Sequence, residues 1–374
     1  MRSPRAVIED TDWDGLRHAY AAASDTPARL PQLLSEDPER SGDALAYLDA
    51  VLLHQGSVYS TTAPSAEFVA GILDDPRTLV RCHSALQWDE RERPLRAALL
   101  EWLGAVAASA AYDEPGGLDV SAASDDANEH DDEDERRAVE AWRAVRADVY
   151  TAVEAFLDDT DAAVRRGAIA AVTHLLAAPE LAHRRAPAAE RLMRSVREKS
   201  PAERAAVALS VGSWGIPPRE LLRDQHPGVR GCAALTWALD DDPVALDEVR
   251  AALRDPRAAD AWFGEDQPPQ LDGQVRFLLI QALLRRTTMF DEVADAAVAI
   301  AQMTNAYTVD SDWGPLLERA FAGGQDRPLS AAHRRFLFAI VNNDKCWGNV
   351  ANPMTWLLKV GLPTEREELR ALLI

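Results

Sequence analysis

A short frame recurs along this chain, in which an Arg usually preceded by an apolar residue is followed by apolar residues three, four, seven and often ten positions later. Asp159 and Asp224 stand five residues before the Val of the two clearest copies. Apolar residues at this spacing lie on one face of an α-helix. The copies are centred on Val164-Arg165, Val229-Arg230, Leu95-Arg96 and Val275-Arg276, with a weaker one at Glu203-Arg204.

Each frame is preceded by a helix-breaking segment and by a second stretch with helical spacing. Pro201, Pro227 and Pro243 stand at these joins, where Pro favours the first turn of a helix. A lone pair of helices cannot bury its apolar stripe and must stack on a neighbour. The sequence therefore predicts an all-α fold, an α-solenoid of stacked antiparallel helical hairpins.

The Asp-x4-Val-Arg frames and the Ala/Leu-rich helices after them resemble the HEAT-repeat family over roughly residues 27–290. The segments LLHQGSVYSTTAP and VGLPTEREELRALL make the chain similar to HEAT-type proteins of GC-rich bacteria. The resemblance implies a right-handed solenoid of roughly seven or eight hairpins, with the second helices on its concave face. It also implies that Asp159/Arg165 and Asp224/Arg230 link neighbouring repeats. It implies no particular activity.

Residues 113–135 interrupt this pattern with eleven Asp or Glu, no Lys or Arg and no helical period. Like charges repel and no apolar face exists, so we predict a disordered acidic loop, with a partner-docking arm or a weak cation site as alternatives. The predicted organisation is one continuous solenoid. Its parts are N-terminal helical repeats at 1–112, the loop at 113–135, HEAT-like repeats at 136–304 and atypical capping helices at 305–374.

The formal net charge of −21 disfavours nucleic acid and favours a basic protein or peptide as the partner. The three cysteines are far apart and odd in number, which predicts free thiols in a reducing compartment. No apolar run has the length of a signal peptide or a membrane span. We therefore expect a cytoplasmic protein without membrane association.

The sequence contains none of the patterns GxSxG, GxxxxGK[ST], GxGxxG and HExxH, so we expect no cofactor, no metal and no catalytic residue. One enzyme class within the resemblance remains as an alternative, the alkylpurine DNA glycosylases, which use a carboxylate beside aromatic residues. The acid–aromatic segments that could serve such an enzyme are Trp88-Asp89-Glu90 and Glu101-Trp102.

Several polar or aromatic residues stand off the apolar stripe of helices that otherwise repeat cleanly, and the resemblance places them on the concave face. They predict a contact surface for a non-catalytic binding scaffold, of which an immunity or antitoxin-like protein is a concrete form. Trp214 and Trp237 fall on the stripe instead and are predicted core residues. The predicted contact residues are Glu101, Trp102, His174, Gln281 and Arg285, with Trp347 and Asn349 at a C-terminal segment that is either a cap or a binding edge built by Asn343, Trp347 and Asn349.

Overall fold

The computed structural model describes residues 1–83, 92–111, 129–271, 273–322, 328–348 and 350–373, with the backbone alone at 129–133. Within these ranges the regular structure is helical apart from two short antiparallel strands, in which Arg81 pairs with Pro94 and His83 with Glu92, and an isolated bridge between Arg17 and Ala22. The predicted all-α class is therefore confirmed.

The α-helices are α1 (Pro4–Asp10), α2 (Thr26–Arg29), α3 (Pro38–Ala50), α4 (Thr62–Ile72), α5 (Leu95–Ala110), α6 (Glu129–Glu154), α7 (Ala162–Leu175), α8 (Arg185–Arg194), α9 (Pro201–Ser213), α10 (Pro227–Leu235), α11 (Pro243–Ala252), α12 (Pro256–Asp260), α13 (Val275–Arg286), α14 (Ala294–Ala301), α15 (Trp313–Phe321), α16 (Ala331–Val341), α17 (Asn352–Lys359) and α18 (Arg366–Ala371). The strands are β1 (Arg81–His83) and β2 (Glu92–Pro94). Short 3-10 helices lie at Trp13–Gly15, Leu30–Leu34, His54–Gly56, Pro76–Leu79, Ala155–Asp158, Pro179–Arg184, Val196–Glu198, Arg219–Arg223, Trp237–Leu239, Gly264–Asp266, Phe290–Glu292 and Asp344–Cys346.

The chain forms two compact units, Met1–Lys199 and Ser200–Ile374, which are called unit 1 and unit 2 below. Helix α6 begins at Glu129, so residues 129–135 are helical although they belong to the predicted loop at 113–135. Residues 112–128, which make up the rest of that prediction, lie outside the described ranges.

Helix starts follow the Ser/Asp–Pro signals of the sequence. Ser200 accepts a hydrogen bond from the backbone N–H of Glu203, and the Glu203 carboxylate accepts one from the backbone N–H of Ser200. This reciprocal capping box satisfies two of the helix donors that would otherwise lack partners. Asp37 and Asp242, each immediately before a Pro, cap α3 and α11 by accepting a single backbone N–H, from Glu39 and from Val244 respectively. The Pro residues therefore mark first turns, as their spacing predicts.

In unit 1 the closest helix packing is between α5 and α7, and two glycines permit it. A Cβ added at Gly104 of α5 would lie 2.9 Å from the Cα of Ala171 on α7, and one added at Gly167 of α7 would lie 2.9 Å from the carbonyl oxygen of Ala97. Each helix thus presents bare backbone to the other. Because of this approach α5 is buried over most of its circumference.

In unit 2 helix α10 packs against α9, α11 and α13. Further along the chain α14 packs against α15 and α16, while α17 and α18 cover α15 and α16 respectively. Trp313 at the start of α15 and Phe336 in α16 are fully buried. Each helix thus buries an apolar stripe against neighbours that are close in the sequence.

The two clearest frames adopt the same local structure, one in each unit. One carboxylate oxygen of Asp159 accepts the backbone N–H of Asp161, and one of Asp224 accepts that of His226, both at 2.8 Å. Arg165 donates to the carbonyl oxygen of Asp159 at 2.7 Å, and Arg230 donates to that of Asp224 at 3.0 Å. Within a frame the Arg therefore binds the Asp backbone, while the Asp side chain closes the turn before the helix.

The Asp carboxylates also receive an Arg from the preceding frame. Arg204 donates to both oxygens of Asp224, at 2.7 and 2.9 Å, which is the bidentate geometry that suits a guanidinium. In unit 1 Arg96 donates to Asp159 at 3.4 Å and to the Thr78 hydroxyl at 3.0 Å. An Arg–Asp bridge thus joins successive frames within each unit.

A third bridge is the most deeply buried. Arg276 donates to both oxygens of Asp312, at 2.7 and 3.2 Å, and also forms an ion pair with Asp260. The Asp312 side chain has no solvent exposure and accepts a further hydrogen bond from the Thr308 hydroxyl at 2.6 Å. In the sequence, Gln270 stands five residues before Val275, where the two clearest frames have an Asp. The carboxylates that bind Arg276 come instead from Asp260 at the end of α12 and from Asp312 just before α15.

We predict that Asp312→Ala destabilises unit 2 by about 3–5 kcal/mol, because it leaves the buried Arg276 guanidinium with only one of its two carboxylates. Urea unfolding measures this change. The matched control is Asp295→Ala, since Asp295 pairs with Arg335 on the surface and is 86% exposed, and it should cost less than about 1 kcal/mol. Equal effects of the two substitutions would show that the buried bridge does not hold the unit together.

Candidate functional site

Trp102 does not belong to a contact surface, contrary to the sequence prediction. Its side chain is only 3% exposed, because α5 is enclosed on nearly every side and has no free polar face. The prediction assumed that a residue off the apolar stripe faces solvent. That assumption fails where Gly104 and Gly167 bring α7 so close that residues beside the stripe are covered as well.

Glu101, the neighbour of Trp102, lies in a partly buried cluster of charged groups in unit 1. Its carboxylate pairs with Arg93 at 3.0 Å. Burial raises the pKa of Asp49 to about 6, with Arg93 opposing the shift and Glu101 reinforcing it. Burial also raises the pKa of the Cys82 thiol, so this residue is not a thiolate nucleophile at neutral pH. The cluster can hold a proton, but Trp102 offers no exposed ring on which a base could stack.

The other predicted contact residues fall in both units. His174 lies on α7 in unit 1, half-buried, and burial lowers the pKa of its imidazole, which is therefore neutral near pH 7. Trp347 lies in unit 2, where its ring N–H donates to the carbonyl of Ile340 at 3.1 Å and the Arg366 guanidinium covers its ring. Those contacts tie Trp347 to the structure around it. Asn349 and the segment Trp88-Asp89-Glu90 lie outside the described residues.

Trp214 and Trp237 were both predicted as core residues, and only Trp214 is buried. Trp214 is 6% exposed, whereas Trp237 is 59% exposed. The reason is that α10 ends at Leu235, two residues before Trp237, so the helical period no longer applies there. Thr236 is extended and takes the buried position, with its hydroxyl donating to the carbonyl of Ala233 at 2.8 Å.

Although it is exposed, the Trp237 ring has a defined place. Its N–H points at the carbonyl of Ser213, 3.4 Å away. Gly215 has a positive φ of 81°, and a Cβ added to it would lie 3.0 Å from the ring. At Gly212 an added Cβ would lie 2.1 Å from a methyl carbon of Thr236. The end of α9 is therefore shaped by glycines to seat the segment that carries Trp237.

Two arginines of α13 hold the same segment from the other side. Arg285 donates to the carbonyl of Leu235 at 3.0 Å, and Arg286 donates to that of Thr236 at 3.1 Å. Both also pair with the carboxylate of Asp240, at 3.1 and 2.9 Å. Cations at the carboxyl end of α10 satisfy its last carbonyls and complement the helix dipole.

The candidate site, which is called the Trp237 surface, consists of Trp237, Asp240 and Arg285, whose contacts are given above, and of Asp241 and Gln281, which are exposed on the same two segments of the chain. Gln281 is exposed one turn before Arg285 on the same face of α13. Asp241 is exposed, and its carboxylate has no ion-pair partner among the described residues. An indole held in place and, four residues later, an exposed carboxylate suit recognition of a Lys or Arg side chain. Gln281 and Arg285 were predicted from the sequence, whereas Trp237 and the two aspartates were missed.

Comparisons of the chain with protein-family models, with curated proteins and with solved structures found no match. In the part of the chain that the structure describes, no helix is both long and apolar enough to cross a bilayer. No three His, Cys, Asp or Glu side chains of those same residues are grouped as a metal site would require. The candidate site is therefore supported by the contacts and the exposure of its own residues alone.

The raised pKa of Asp49 predicts how stability depends on pH. Because the folded state binds this proton more tightly than the unfolded state, the contribution of Asp49 to the free energy of unfolding falls as pH rises from about 4 to 6. Asp49→Asn should therefore stabilise the protein by about 1–3 kcal/mol at pH 8 and change little at pH 4. Chemical denaturation at both pH values tests this, with Asp43→Asn on the exposed side of α3 as control. A less stable Asp49→Asn variant at pH 8 would contradict the prediction.

Proposed function

We propose that the chain is a HEAT-type α-solenoid that binds a basic protein or peptide and catalyses no reaction. The observation that carries this proposal is Trp237, an indole that is 59% exposed and yet seated on Gly215. An exposed aromatic side chain held in one position loses little entropy on binding and is typical of interface hot spots. Trp237 therefore is the anchor of the proposed interface.

The repeat character rests on the two frames that share a local structure. Asp159 and Asp224 close equivalent turns, and Arg165 and Arg230 bind equivalent carbonyls. In a repeat protein, both the turn and the start of the helix after it have the same structure in each repeat. The resemblance assigns the link between neighbouring repeats to the pairs Asp159/Arg165 and Asp224/Arg230. In the structure Arg165 and Arg230 bind carbonyls of their own frame, and the bridges to these aspartates from the preceding frame come from Arg96 and Arg204.

The charge of the partner follows from the chain as a whole and from the site. A net charge of −21 accelerates encounter with a basic surface and slows encounter with an acidic one. At the Trp237 surface Arg285 and Arg286 share the single carboxylate of Asp240, while Asp241 has no ion-pair partner among the described residues and can meet a cation. A protein that neutralises a basic enzyme, as immunity and antitoxin proteins do, is the concrete form of this proposal.

The alternative enzyme, a nucleobase-acting relative of the alkylpurine DNA glycosylases, has no support at Glu101-Trp102. Its carboxylate would have to face a base stacked on an aromatic ring. Glu101 instead pairs with Arg93, and the Trp102 ring is buried. The binding scaffold is therefore the function that the described residues favour.

We predict that Trp237→Ala weakens the binding of a fluorescein-labelled dodecapeptide of Lys, Leu and Gly about tenfold or more, because it removes the anchor of the interface. Fluorescence anisotropy at low salt measures the affinity. The control is Tyr307→Ala, which removes an aromatic side chain that is 79% exposed in the same unit, and its affinity should stay within about twofold of wild type. Melting temperatures of both variants should match wild type, since neither side chain is buried.

Equal affinities of Trp237→Ala and wild type would contradict the proposed site. Tight binding of the corresponding Glu, Leu and Gly peptide at Trp237 would contradict the proposed partner charge. High salt should weaken the Lys peptide, because screening reduces the attraction between opposite charges.

A further inference from the structure

A second surface of unit 2 forms a cleft that the proposed function does not use, and Asn343 of the predicted C-terminal binding edge is among its lining residues. It lies beside α14 and α16 and the 3-10 helix Asp344–Cys346, and its volume is about 680 Å³. This volume is within the range of sites that bind small molecules or short peptide segments. Val298, Phe338, Ala339 and Leu373 supply its apolar lining.

Phe338 is the dominant apolar group of this cleft. Its neighbours Phe336, Leu337 and Ile340 are fully buried in the core of unit 2, whereas Phe338 is 62% exposed on another side of α16. A phenyl ring exposed to that degree within a cleft leaves apolar area that a ligand can cover. Phe338 thus contributes little to the core and is available for binding.

The charges around Phe338 are opposite in sign to those of the chain as a whole. Lys345 lines the cleft, and its ammonium has no hydrogen-bond or ion-pair partner among the described residues. Arg334 lines it too, and its guanidinium donates to the backbone carbonyls of Leu372 and Leu373, both at 3.5 Å, with no ion pair among the described residues. Each of these cations can therefore accept a carboxylate without breaking an existing ion pair.

The acidic groups nearby are already engaged. Asp344 pairs with Arg366 at 2.5 Å. Arg335, the third cation of the cleft, pairs with Asp295 at 2.6 Å. Among the described residues of the cleft, Arg334 and Lys345 thus have no ion-pair partner, although the net charge of the chain is −21.

We propose that this cleft binds an acidic peptide segment that carries an apolar side chain. The apolar side chain packs on Phe338, and the carboxylate lies between Arg334 and Lys345. The exposed amides of Gln302 and Asn342, which also line the cleft, are available to the peptide backbone. This ligand is acidic, whereas the ligand proposed for the Trp237 surface is basic. One protein molecule would therefore carry two binding sites, one for each sign of charge.

Fluorescence anisotropy with the labelled Glu, Leu and Gly dodecapeptide tests this inference. Phe338→Ala should weaken binding about tenfold, and Arg334→Gln and Lys345→Gln should each weaken it about three- to tenfold. The control is Leu358→Ala, which removes an apolar side chain of the same unit that is 66% exposed and does not line the cleft. It should leave the affinity unchanged.

Binding that is unaffected by Phe338→Ala and by Lys345→Gln would overturn the proposal. So would preferential binding of a labelled oligothymidylate of equal charge, since an aromatic ring between cations also suits a single-stranded nucleic acid. Trp237→Ala should leave the Glu peptide bound as in wild type, and Phe338→Ala should leave the Lys peptide bound as in wild type. The experiment therefore distinguishes a failure of the proposed cleft from a failure of the proposed Trp237 surface.

Discussion

The structure depends on one interaction, in which an Arg at the start of one helix binds the Asp that opens a later one. At Asp224 the carboxylate does two things at once, because it closes its own turn through the N–H of His226 and receives both donors of Arg204. Burial alone would raise the pKa of Asp224, but these hydrogen bonds outweigh it and lower the pKa instead. The carboxylate therefore stays charged, and the position of one helix start is fixed by the one before it.

Arginine side chains that bind the end of a helix also explain the candidate site. Helix α10 ends early, and Arg285 and Arg286 bind its last carbonyls in place of a further turn. Trp237 then follows in a 3-10 helix and emerges on the surface, seated against Gly215. The exposed indole is thus a consequence of how the end of α10 is satisfied, rather than a defect of packing.

The sequence predicts the features that depend on local periodicity. It does not predict burial or ion-pair partners that are set by residues far away in the sequence. It predicts the helical class, the Pro-marked helix starts and the burial of Trp214, since each follows from neighbours within one or two turns. It misplaces Trp102, because nothing local reveals that glycines bring α7 against α5. It misplaces Trp237, although Asp242-Pro243 caps α11 five residues later and leaves room only for a turn. It also misses Asp312 as the partner of Arg276, which is 36 residues away in the sequence.

The claim that Arg–Asp bridges couple successive helices is tested most directly by a double-mutant cycle on Arg204 and Asp224. Urea unfolding of Arg204→Ala, Asp224→Ala and the double variant gives the coupling free energy between the two side chains. Both side chains are largely buried, at 16% and 12% exposure, so the account predicts a coupling of about 1–3 kcal/mol. A coupling below about 0.5 kcal/mol, the range of an ordinary surface ion pair, would contradict it.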